Sequence, residues 1–192
     1  MSSSYSSLIA NWLQNNKNYV TKQFPLLPQP WHMAQRRGPA KESGEVSLVL
    51  TCLDPRCVPE TFFGPDFDGP VIRNAGGRAT DDTIRSITVL RELAGLKNVA
   101  VADKKSDADS TYADCGVTHV ISKEIIDTMA TESPAAKHQA EKMDFKLFTS
   151  DEFEESIRED VRALRSAPTL AGINIYGFKL DTFTGEIESV DI

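Results

Sequence analysis

Residues 51–57 read Thr-Cys-Leu-Asp-Pro-Arg-Cys, which sets a thiol at Cys52, a carboxylate at Asp54 and a guanidinium at Arg56 directly after the apolar run 45–52. In an extended chain alternate side chains share one side, so these three can address a common point. A thiolate binds a soft metal, and a carboxylate gripped by arginine is held ionised and oriented. The same residues also read as a buried cysteine beside a structural ion pair, and the segment alone does not choose between the two. Residues 71–78, Val-Ile-Arg-Asn-Ala-Gly-Gly-Arg, end a strand-like run at Asn74 and then carry Gly76 and Gly77. Paired glycines allow close backbone approach and leave N–H groups open to an anion, although most such pairs are plain turns. Asp114-Cys115-Gly116 puts a second thiol near a helix N-terminus, where a thiolate is electrostatically favoured. Two thiols far apart in sequence, both near strand ends, make a shared metal plausible; Cys57 reads as packing.

Taken together and in this order, the segments resemble the β-class carbonic anhydrases. Residues 49–56 are similar to that family's Cys-x-Asp-x-Arg segment, residues 71–77 to its second-strand motif, and Asp114-Cys115-Gly116 to the end of its His-x-x-Cys-Gly motif. Residues 172–190 are similar to its final strand and turn. The resemblance implies an α/β fold with a mainly parallel sheet flanked by helices and an N-terminal helical arm. It implies zinc held by two cysteines and a histidine, and reversible hydration of carbon dioxide to bicarbonate. It also implies a homodimer embraced by that arm. Carried over by position, Cys52 and Cys115 are metal ligands, and Asp54 and Arg56 form the gating pair.

The position of the histidine holds Tyr112. A phenol, with an ordinary pKa of about 10, must lose its proton before it can bind zinc, whereas imidazole binds as it stands. Residues 103–111, Asp-Lys-Lys-Ser-Asp-Ala-Asp-Ser-Thr, also separate the preceding strand from Tyr112, a longer connection than the family's. Asp103 and His119 are the candidate replacement ligands, with packing or capping the competing role for His119. Asp103, Asp107, Asp109 and Asp114, against Lys104 and Lys105, would disfavour an anion there, and they also read as a solvated loop. Three functions follow from the resemblance and its departure. The first is carbon dioxide hydration that is weak or lost. The second is a carbonyl sulfide or carbon disulfide hydrolase, or an enzyme using the Cys115 thiolate with Arg56 or the Gly76–Gly77 backbone stabilising an oxyanion. The third is a metal-free, non-catalytic paralogue.

The elements that must position these residues alternate along the chain. Apolar runs at 45–52, 70–76 and 98–102 predict strands, and 80–95 predicts a helix capped by Thr80 and stopped by Gly95. Further helices are predicted over 118–130 and 150–167, and residues 170–190 predict a strand and hairpin turning near Thr184-Gly185. Alternation of this kind makes a mainly parallel sheet covered on both faces, with sites at the carboxyl ends of its strands. Residues 1–44 form an N-terminal helix, through Ile9, Trp12, Leu13 and Val20, and a proline-rich extended arm; residues 45–192 form the α/β domain. The 192 residues carry a net charge of −7 and no dense Lys/Arg run, which argues against a nucleic-acid partner. No apolar run reaches membrane-spanning length, and three cysteines without a secretory start point to the cytoplasm.

Overall fold

A computed structural model describes residues 6–26, 46–64, 67, 69–104 and 116–192. The chain divides into two units, Met1–Arg36 and Arg37–Ile192. In the first, helix α1 (Ser7–Lys22) is followed by a 3₁₀ turn, Phe24–Leu26. The Ser6 hydroxyl caps α1 by accepting the Ile9 N–H at 3.4 Å. None of its residues is buried, and Leu8, Trp12, Leu13 and Val20 are exposed. Most of the expected proline-rich arm lies outside the described residues.

The second unit is mixed α/β. Strands β1 (Ser47–Cys52), β2 (Val71–Asn74), β3 (Asn98–Lys104), β4 (Asn174–Leu180) and β5 (Ile187–Val190) form one sheet in the order β2-β1-β3-β4-β5. The first four are parallel and β5 returns antiparallel to β4. A short helix α2 (Pro59–Phe62) follows β1, and α3 (Asp81–Ala94) links β2 to β3. Thr80 accepts the Thr83 N–H at 3.3 Å to cap α3, and Gly95 ends it at φ 70. Helix α6 (Phe153–Ser166) buries Phe153, Ile157, Val161 and Leu164, one face at helical spacing. These pack with Leu48, Leu50, Val99, Val101 and Ile175 of the sheet in one core. Among the described residues no helix is long and apolar enough to cross a membrane.

Two elements differ from expectation. Strand β3 does not stop at Ala102 but runs on through Asp103 and Lys104, which pair with Lys179 and Leu180 of β4 and are buried. Pairing with a seven-residue neighbour outweighs the local polarity that reads as loop. The expected helix 118–130 is instead a 3₁₀ helix Gly116–His119 followed by α4 (Ser122–Glu132), with α5 (Pro134–Ala140) beyond it. Ser133 caps α5 and Pro134 occupies its first turn, where the missing N–H costs nothing.

Candidate functional site

β1 delivers Cys52 to its carboxyl end, buried and opposite Asn74 of β2. The chain then turns: the Leu53 N–H donates to the Asn74 carbonyl at 2.9 Å, and the Cys57 N–H to the Asp54 carbonyl at 2.9 Å. Within this turn Arg56 grips Asp54 in a fork, Nε to Oδ1 at 2.9 Å and Nη2 to Oδ2 at 2.8 Å. The Arg56 backbone N–H adds a third bond to Oδ1 at 2.9 Å. Lys104, reaching from the end of β3, donates its Nζ to Oδ2 as well. The Arg56 guanidinium holds the Asp54 carboxyl well below the usual carboxylate range; burial opposes this and Lys104 reinforces it. Asp54 is therefore a fixed anion between two cations.

The turn is braced from outside. Arg73 of β2 donates Nε to the Cys52 carbonyl at 3.1 Å, and Nη2 to the carbonyls of Leu53 at 3.2 Å and Asp54 at 2.6 Å. One guanidinium thus ties three consecutive carbonyls through its fixed planar fork of donors. Asn74 closes the next loop: its Oδ1 accepts the Arg78 N–H at 2.7 Å, while its Nδ2 donates to the Arg78 carbonyl at 2.7 Å and to Thr83 Oγ1 at 3.1 Å. Gly76 and Gly77 lie in this loop at φ 76 and φ 64, both buried. A Cβ on Gly77 would stand 3.1 Å from the backbone of Thr51 and Cys52, so Gly77 lets the loop press directly on the strand that carries the cysteine. Arg78, also buried, pairs through Nε with Asp160 Oδ2 of α6 at 2.9 Å, and Asp160 Oδ1 accepts the Ala79 N–H at 3.0 Å.

Asp103 is buried beside Lys104, whose backbone N–H it accepts at 2.8 Å. Burial drives its carboxyl well above the ordinary range, and Cys52, close enough to act on it electrostatically, pushes the same way. Cys57 is fully buried in a small cluster with Cys52 and Leu180. Its thiol is pushed up to about 12, first by burial, then by Asp103 and Cys52, with Thr51 partly opposing. His119 ends the 3₁₀ helix Gly116–His119, and α4 begins only at Ser122. Cys115 and Tyr112, with Asp107, Asp109 and Asp114, lie outside the described residues.

The structure thus brings Cys52, Asp54, Arg56, Asn74, Gly76, Gly77 and Asp103 to one end of the sheet. It adds two residues that sequence reasoning missed, Lys104 and Arg73. The signal for Lys104 was the length of the apolar segment Asn174–Leu180, which calls for an equally long neighbour in β3. Arg73 stood inside the quoted 71–78 motif without a role. Among the described residues Asp54 is committed to Arg56 and Lys104, and no three His, Cys, Asp or Glu side chains are grouped to hold a metal.

No protein-family model matches the chain. A carbon disulfide hydrolase of Acidianus sp. is 38% identical over 79 residues, 40% of this chain and 34% of that protein. The chain therefore matches about a third of that hydrolase's length. Beta-carbonic anhydrase 1 of Mycobacterium tuberculosis is 25% identical over 182 residues, 94% of this chain and 96% of that protein. Among solved structures, the carbonic anhydrase of Streptococcus mutans superposes with a TM-score of 0.73 at 26% identity, covering 98% of this chain and 100% of that one.

Proposed function

Starting from a chain that is a homologue of the β-carbonic anhydrases over most of its length and has their fold, we propose that it is a carbonic anhydrase-like protein in which zinc-dependent interconversion of carbon dioxide and bicarbonate is weak or lost. The observation that carries this reading is the state of Asp54. The Asp54–Arg56 fork is kept at the end of β1, beside Cys52, yet the carboxylate is also bonded by the buried ammonium of Lys104. Tyr112 at the position of the third ligand supports the same reading, since a phenol must give up its proton to bind zinc. Whatever zinc binding survives would draw on Cys52 and Cys115. This chain's own residues hold Asp54 ionised between Arg56 and Lys104 and fix the turn through Arg73.

A second reading has one specific support, the 38% identity to a carbon disulfide hydrolase over the matched segment. It takes a neutral, linear substrate of the same shape and the same residues. On either reading the protein is a homo-oligomer in the cytoplasm, built partly through the exposed apolar face of α1. The deciding experiment measures zinc by elemental analysis and follows hydration of carbon dioxide and hydrolysis of carbon disulfide by stopped flow, for wild type and for Tyr112→His with the connection shortened between 105 and 111, beyond the end of β3. The expected result is substoichiometric zinc and little turnover in wild type, both rising in the restored variant. Stoichiometric zinc in wild type with hydration well above buffer overturns the proposal; carbon disulfide turnover alone selects the second reading.

A further inference from the structure

Lys104 is the last residue of β3 and only 1% of its side chain is exposed. Lysine is almost never buried to this degree unless paired, because taking an ammonium out of water is costly. Its partner Asp54 does not need it for orientation: the Arg56 fork already fixes both carboxylate oxygens, and the Arg56 N–H adds a third bond. The lysine therefore supplies a second positive charge to an anion that is already held. It does so on Oδ2, so that each oxygen of the carboxylate accepts two hydrogen bonds, from Arg56 on Oδ1 and from Arg56 and Lys104 on Oδ2. Lys104 is also not free to swing away as a loop residue would, since its backbone pairs with Leu180 of β4 and Asp103 accepts its N–H.

We propose, on the reading that zinc-dependent turnover is weak or lost here, that Lys104 is an internal cation standing in for a metal's charge beside Asp54 and Cys52, so that a divalent ion is disfavoured there. Lys104 is thus a positioning residue with a specificity role: it selects against metal. Cobalt(II), which reports thiolate ligation by its charge-transfer absorption, is titrated into the full-length wild type, Lys104→Met and Lys104→Arg, with folding checked by circular dichroism. Lys104→Met is expected to bind cobalt at least about tenfold more tightly than wild type, a lower bound, since removing one unit charge close to a divalent ion is worth more than that factor even at an effective dielectric of about 20. Lys104→Arg, which keeps the charge, is expected to bind as weakly as wild type. Equal affinity in folded wild type and folded Lys104→Met overturns the proposal while leaving the functional reading in place; stoichiometric zinc and rapid hydration in wild type overturn both. Should Lys104→Met not fold, Lys104→Gln, uncharged and able to keep a hydrogen bond to Asp54, takes its place in the same titration, with tighter cobalt binding expected and an affinity equal to wild type overturning the proposal.

Discussion

At the scale of single residues, the cysteines divide by environment rather than by sequence. Cys52 and Cys57 lie five positions apart and share a small apolar cluster, yet only Cys52 stands at the strand end beside the Asp54 turn. Burial pushes the Cys57 thiol up to about 12 from its ordinary 9.0. The sign of its linkage to stability follows. Above pH 9 the unfolded thiol loses its proton while the folded one keeps it, so ionisation favours the unfolded chain. The contribution of this group is whole below pH 9, falls as pH rises toward about 12, and changes no further beyond it. Two outcomes are expected. Iodoacetamide at pH 8 should label Cys57 only after denaturation, as peptide mass spectrometry would show. Urea titrations should lose stability between pH 9 and pH 11 more steeply in wild type than in Cys57→Ala. Rapid native labelling of Cys57 would contradict the buried, protonated thiol.

At the scale of elements, the site is made by the pressing of one loop on one strand. Gly77 at φ 64 would put a Cβ 3.1 Å from the backbone of Thr51 and Cys52, and backbone cannot yield as a flexible side chain can. The nearest atoms to a Cβ on Gly76, at φ 76, are instead side-chain atoms of Arg78, Val117 and Phe148, at 3.3–3.4 Å. Both alanine variants bear the left-handed backbone penalty, but Gly77→Ala must also displace the end of β1. We expect losses of about 1–2 kcal/mol for Gly76→Ala and about 2–4 kcal/mol for Gly77→Ala in chemical denaturation, with Cys52 reactivity altered only by the latter. Such loops, and helix α3 with them, are legible in the sequence because their causes are local: Thr80 caps, Gly95 stops, and a glycine pair turns. The last two residues of β3 are not legible in this way. Asp103 and Lys104 look like the start of a polar loop, and only pairing with Lys179 and Leu180, more than seventy residues away, buries them. The most informative residue of the candidate site is thus the one whose local chemistry disagrees with its tertiary position, a conflict expected where function or strain resides. α5 escaped for the opposite reason: Ser133 and Pro134 mark its start, but its alanine-rich run carries no apolar stripe.

At the scale of the whole molecule, α1 carries an apolar face without burying any of its residues. Leu8, Trp12, Leu13 and Val20 are all exposed, and their spacing places them on one side of the helix. An exposed stripe with two adjacent large side chains, Trp12 and Leu13, is an unfavourable surface for a chain that remains single in water, and association removes it. If the protein is a homo-oligomer assembled through α1, replacing Trp12 and Leu13 together with aspartate puts two charges into that contact, where desolvating them has no compensation. Sedimentation velocity at low micromolar concentration should then show wild type at twice the single-chain mass or more, and the double variant at the single-chain mass. Far-ultraviolet circular dichroism should show the same sheet in both. The melting temperature of wild type should rise with protein concentration and that of the double variant should not, because only an associating fold is stabilised by mass action. An unchanged assembly in the double variant would remove α1 from the contact. A wild type that sediments as one chain at every concentration would remove the oligomer itself.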